Sequence, residues 1–252
     1  MPSLPLRALS LLGGAVLALG LAVPASATTP DESDAPQVST STAASTAFFD
    51  VTKLTASSIV VGPTTDGCTY VPVTISRKLP VGVQYWDAFV DVTRNGQLIS
   101  TAFFGSTGSS TKSRFLYCPL DGFGKFTLGP TEWYAGTTGT HRSGLDGTKG
   151  YFYVRSRTKA GISSITRTNG VTTVKVSATR FAPYSYPEQV KFSAPQAQLQ
   201  VRNGTTWKTV ATVKLVNGSA TLSYRTSAGR TYRVVIPQTD STTAAVTPSK
   251  TK

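Results

Sequence analysis

From residue 48 onward, apolar and polar residues alternate along the chain. The alternation is interrupted by Gly, Asn, Asp or Pro about every ten residues. A period of two sends successive side chains to opposite faces of a half-buried strand, so the pattern predicts an all-β protein. No stretch of useful length carries the 3.6-residue apolar period of an amphipathic helix. The clearest unit is AFVDVTRNGQLISTAFF, residues 88–104. Asn95-Gly96 suits a two-residue type I′ turn, because both positions tolerate positive φ. That turn sets Arg94 opposite Gln97 and Val92 opposite Ile99. The same register carries Val90 to Thr101 and Ala88 to Phe103, one mostly apolar face.

Further strands are expected in FFDVTKLTASSIVV (48–61, broken once), CTYVPVTI (68–75), RFLYC (114–118), KFTL (125–128) and YFYVRSR (151–157). A second set opens with SITRTNGVTTVKVSATRF (164–181), around another Asn-Gly pair. It continues through AQLQVRNGTTWKTVATVKL (197–215), SATLSYRT (219–226), TYRVVIP (231–237) and STTAAVTPS (241–249). A boundary is expected near residues 157–163, where SRTKAGI separates the two sets. The expected architecture is two tandem Ig-like β-sandwich domains, residues 48–157 and 158–252.

The segment before residue 48 changes the picture from fold to compartment. Arg7 precedes the uncharged apolar run of residues 8–23, and Pro24-Ala25-Ser26-Ala27 supplies the small residues of a cleavage site. Residues 1–27 therefore read as a signal peptide, the apolar run being shorter than the roughly 20 residues of a membrane span. No membrane association is expected after cleavage. Residues 28–47, rich in Thr, Ser and Ala, cannot bury enough apolar surface to offset ordering and read as a disordered leader. Secretion makes a Cys68–Cys118 disulfide the expected state of the chain's two cysteines. Neither has a histidine or second cysteine at ligand spacing, so no metal site is expected, and no cofactor pattern occurs.

Val171 to Thr251 contains TTVKVSATRFAPYSYPE, AQLQVRNGTTWKTVATVKL and GSATLSYRTSAGRTYRVVIPQTDSTTAAV. This text resembles the Ig-like modules of secreted actinobacterial proteins. The resemblance implies a β-sandwich scaffold without a common activity, so it carries over no catalytic or binding residue. The first half is loosely similar to immunoglobulin domains: two cysteines 50 positions apart, with Trp86 between them. It departs from them at Leu116, where a tyrosine-corner residue would stand; the tyrosine is Tyr117. Too few strands also fit between Trp86 and Cys118.

Candidate chemistry concentrates in TEWYAGTTGTHRSG, residues 131–144, which holds the only histidine, His141. As a general base His141 needs a nucleophile and an orienting group, and Ser143, Asp146 and Glu132 are the available partners. No nucleophile-elbow context surrounds the serine, and the Gly, Thr and Ser run from 136 to 144 reads as a hairpin loop. Paired carboxylates are scarce: beyond the leader the only glutamates are Glu132 and Glu188, in different expected domains. Asp66, Asp121 and Asp146 each precede glycine, as turn residues do. Trp133, Tyr134, Phe181, Tyr184 and Tyr186 are expected in loops or at strand ends, where a ring can stack on a sugar; core packing is the rival role.

Charge supplies the last distinction. The net charge is +13, and from residue 158 onward 13 Lys and Arg face two acids, a net +11. Alternation sends Lys175, Lys191, Arg202, Lys208, Lys214, Arg225 and Arg233 to solvent faces. Such one-sided charge suits an anionic cell-wall polymer or polysaccharide. Nucleic acid is not expected, since secretion removes it and no aromatic-basic recognition motif occurs. The expectation is a secreted, non-catalytic extracellular or cell-wall-associated binding or structural protein. Its rivals are a secreted hydrolase using the His141 loop and a secreted inhibitor.

Overall fold

In the computed structural model, which describes residues 48–64, 67–105 and 111–252, the alternation resolves into strands joined by short turns. The expected signal peptide and leader lie outside the described residues. The first half holds β1 (Asp50–Ala56), β2 (Ile59–Val61), β3 (Thr69–Lys78), β4 (Tyr85–Arg94), β5 (Gln97–Gly105), β6 (Lys112–Tyr117), β7 (Gly124–Thr137), β8 (Thr140–Asp146) and β9 (Gly150–Ser156). The second holds β10 (Thr158–Thr168), β11 (Val171–Phe181), β12 (Gln189–Lys191), β13 (Ala194–Asn203), β14 (Thr206–Leu215), β15 (Ser219–Arg225), β16 (Thr231–Ile236), β17 (Ala245–Val246) and β18 (Lys250–Thr251). The one helical element among them is a 3-10 turn, Pro119–Asp121. No helix among the described residues is long and apolar enough to cross a membrane.

Four sheets form two layers twice over. Sheet β1-β3-β6 faces sheet β2-β9-β7-β4-β5, with β8 added on β7. Val71, Val73, Ile75 and Phe115 of the first sheet share a core with Ala88, Val90, Phe126 and Phe152 of the second. Sheet β10-β11-β12, with β15 on β11, faces sheet β14-β13-β16-β17, with β18 on β16. Between them Val174, Val176 and Leu222 meet Leu199, Val234 and Ile236. The chain is thus all β, two sandwiches in tandem. Each buried Val, Leu, Ile or Phe side chain contributes about 1.5–3 kcal/mol by leaving water.

The Asn95-Gly96 hairpin forms as expected at its tip, with positive φ at both residues and Arg94 paired to Gln97. Farther out the register differs. A bulge leaves Ile99 without a partner, so Val92 pairs with Ser100, Val90 with Ala102 and Ala88 with Phe104. A one-residue slip reverses the face of every later side chain. Here it buries Ala102 and Phe104 and turns Phe103 to solvent. The core therefore gains Phe104 in place of the expected Phe103.

The disulfide Cys68–Cys118 is present. It lies one step beyond the Thr69–Tyr117 pair, so it staples neighbouring strands of one sheet and does not pin two sheets together. Trp86 packs away from it, against Phe49 at 5.7 Å and under the Arg77 guanidinium at 3.7 Å. The immunoglobulin-like arrangement of disulfide on tryptophan is therefore corrected. Tyr117 is fully buried and donates its hydroxyl to Gly122 O at 3.1 Å. Burial, with Asp121 adding to it, pushes its phenol well above the ordinary tyrosine range.

Residues 157–163, expected to separate two sets of strands, are mostly β10 itself, and Arg157 alone stands between β9 and β10. The chain there is held from both sides. Arg157 N donates to Val61 O, Ser156 N to Ser241 O, and Thr243 N to Ser156 O. The Ser156 hydroxyl donates to Phe181 O at 2.5 Å. Phe181, on β11 of the second sandwich, completes the core of the first. All described residues fall within one compact unit.

Candidate functional site

The histidine segment is not an extended loop. Residues 131–137 belong to β7 and 140–146 to β8, leaving only Thr138-Gly139 as the turn. Tyr85, Gly136 and His141 stand in register across β4, β7 and β8. The Tyr85 ring lies directly over Gly136, where a Cβ would overlap the phenol, so a larger residue there would have to displace Tyr85. Tyr85 Oη and His141 Nδ1 share a hydrogen bond. With Tyr134, Ala135, Arg142 and Ser143 they line a concavity of about 310 Å³.

The carboxylates available for a triad are otherwise engaged. Asp146 accepts from Val51 N at 3.0 Å and from Thr148 N at 2.8 Å, one bond on each oxygen. Glu132 accepts from the Tyr134 hydroxyl at 2.5 Å, which raises the Tyr134 phenol above its ordinary value. The partner of the histidine ring is a phenol, whereas a triad needs a group that orients and charges the base. Asp121, expected in a turn, accepts from Cys118 N at 2.7 Å across that turn. Among the described residues no group of three or more His, Cys, Asp or Glu is placed to hold a metal.

The aromatics divide by strand parity. Trp133 is on β7 and buried, stacked on Phe49 at 5.6 Å with Phe48 at 6.4 Å. Phe181 is wholly buried at the junction. Phe181 stands at a strand end as expected and Trp133 within a strand, and both are corrected from sugar-facing rings to core residues, because each faces inward. Tyr134 faces outward and is 44% exposed. Tyr184 and Tyr186 protrude from the β11–β12 connection, in the other sandwich. Around Tyr134, beside the candidate Glu132, gather residues not expected at a site: Phe89 at 6.1 Å edge-on, Phe103 at 5.1 Å from Phe89, Tyr85, and the carboxylate of Asp87. The signal for Phe103 was its neighbour, since adjacent Phe103 and Phe104 on one strand cannot both face the core.

The cations of the second sandwich occupy two opposite faces and one rim. On the sheet of β10, β11, β12 and β15, Lys159, Thr179 and Lys191 stand side by side across three strands. Lys175 pairs with Thr221 and Arg225 with Val171 on the same outward face. Its other outward residues include Thr173, Ser177, Ser219 and Ser223, and the strands of this sandwich contain neither Asp nor Glu. The opposite face carries Arg202, Lys214 and Arg233. Arg233 is half-buried, lying over Trp207 at 4.3 Å and donating to Gln200 Oε1 at 2.8 Å. Lys208 pairs with the buried Val201 and so leaves β14 on the core side, beyond the end of the core. Arg233 thus lies on the outward face as expected but is half-buried, and only Lys208 is corrected from an outward to a core-side position, where it is still exposed; the other five cations are outward and exposed.

No protein-family model matches the chain, and no curated protein matches its sequence. Among solved structures, the chain is similar to the D0-D1 domain of intimin, with 15% identity and a TM-score of 0.25 over 80% of this chain and 97% of that one. It is similar to the chicken CNTN1 FN1-FN3 domains, with 8% identity and a TM-score of 0.31 over 81% of this chain and 66% of that one. A Parabacteroides merdae β-glucuronidase matches at 11% identity and a TM-score of 0.23, over 81% of this chain and 24% of that one. The architecture rests on the chain's own sheets and cores, which make it a protein of two β-sandwiches.

Proposed function

We propose that this is a secreted, non-catalytic binding or structural protein that holds an anionic polymer of the cell envelope against its second sandwich. One observation carries the reading: a sheet face bearing Lys159, Lys175, Lys191 and Arg225 among serines and threonines, in a sandwich whose strands contain no acid. Such a face meets a polyanion through many weak, screened contacts, while the hydroxyls hydrogen-bond its sugar or polyol oxygens. The first sandwich supports a second role. Tyr85 and Tyr134 flank a concavity that also offers His141 and Ser143, a mixture of rings and polar groups suited to a neutral sugar. Purified protein applied to wall material and to immobilised anionic polysaccharide tests the main reading. Retention should be strong at about 20 mM salt and largely lost by about 500 mM, where screening shortens to a few ångströms. Failure to bind at the lower salt would overturn it.

A further inference from the structure

The second sandwich is open at the end where β13 turns into β14, and a cleft of about 200 Å³ lies there between its sheets. Val201 and Val210 of one sheet and Tyr224 of the other form its floor, and Lys208 and Arg230 border it. Two cations thus stand at one concavity, each positioned by the fold. Lys208 shares the inward face with Val201, because cross-strand partners point the same way. Arg202, the next residue along β13, faces outward and donates its Nε to Gly204 O at 3.1 Å, so its guanidinium is not one of the two. Arg230 ends a loop that is tied down at both ends. Thr226 O accepts from Arg167 Nη2 at 3.0 Å, Thr226 N donates to Gly170 O at 2.8 Å, and Arg230 N donates to Lys252 O at 2.9 Å.

A cleft with one apolar wall strengthens the attraction between these cations and an anion, because less water screens it. Fixing the loop beforehand removes an ordering penalty at binding. We propose that this cleft seats a single oxyanion, the carboxylate or phosphodiester of an envelope polymer, with Tyr224 against the adjoining carbon skeleton. The proposal rests on the polyanion reading above and deepens it: one charged group is seated in the cleft, and the lysine face holds the rest of the chain loosely.

The test uses the full-length protein and two probes of matched charge, a short glucuronic acid oligosaccharide and a glycerol phosphate oligomer, to distinguish the two sources of oxyanion. The double variant Lys208→Gln/Arg230→Gln is compared by calorimetry with the charge-matched Lys53→Gln/Lys78→Gln, two exposed cations of the first sandwich. The cleft variant should bind at least one probe about tenfold more weakly, as expected for charges that contact a seated group, and the first-sandwich variant within about twofold. Equal losses in the two variants would show that net charge alone sets probe binding and overturn the cleft, while salt-sensitive retention on the polymer keeps the polyanion reading. Wild-type protein that is retained on the wall polymer but binds neither short probe would also overturn the cleft. β14 is an edge strand, and an inward lysine can simply guard it. If Lys208→Gln self-associates with concentration while probe binding is unchanged, that protective role replaces the proposal. If neither polymer nor probe binds wild type at low salt, both readings fall.

Discussion

The two sandwiches share one pattern of alternation and differ in what they put inside and outside. The first buries rings: Phe49, Trp86, Phe104, Phe115, Phe126, Trp133 and Phe152. It adds a disulfide along one sheet and shows solvent a face of Phe103, Tyr134, Asp87 and Glu132. The second is mainly aliphatic inside, with Tyr232 as its largest buried ring, and turns lysine, arginine and hydroxyls outward. Charge segregation is thus a property of one sandwich, while stability is shared, since Phe181 leaves the basic half to fill the aromatic core. A cut between residues 157 and 158 would expose that ring.

The sharpest way to break the comparison is therefore at the junction. Phe181→Ala should destabilise the protein by about 3–5 kcal/mol, the usual loss for a buried phenylalanine. Fluorescence of Trp86 and Trp133 during chemical denaturation should show the weakening in the first sandwich, although the residue belongs to a strand of the second. Removing the disulfide with Cys68→Ser/Cys118→Ser should cost about 2–4 kcal/mol, again in the first sandwich. Amide exchange in β13 and β16 should change little.

A smaller effect separates the cores by pH. The folded Tyr117 phenol lies above its unfolded value, so above about pH 10 the unfolded state holds fewer protons and stability falls as pH rises. Tyr117→Phe should lose about 1 kcal/mol near neutrality with the Gly122 hydrogen bond, and should show less of the alkaline decline. Urea denaturation at pH 7 and pH 11 measures both. The smallest expected effect is at His141. His141→Ala should leave any activity within about twofold, against the roughly 10²–10⁴-fold loss that follows removal of a general base.

Strand existence was legible because alternation and Asn-Gly pairs are local signals. The broken strand at 48–61 and the turns at Asn95-Gly96 and Asn169-Gly170 were read correctly on that basis. Register was not, because the Ile99 bulge depends on fitting Phe104 into a core built by distant strands. The same limit hid the partners of Tyr134: Phe89 and Phe103 reach it only through pairing across β5, β4 and β7. The charge excess of the second half was plain from counting residues. That Lys208 leaves on the core side while Lys175 faces outward depends on pairing at the sandwich rim, which composition does not record.

If the second sandwich alone makes the polyanion contact, hydrogen exchange of the full-length protein with anionic wall polymer at low salt should register it there. Added protection is expected on β10, β11 and β15 and around the Lys208–Arg230 cleft, with residues 50–156 unchanged relative to the protein without polymer. Protection centred on the Tyr85–Tyr134 face, or spread evenly over both sandwiches, would contradict it.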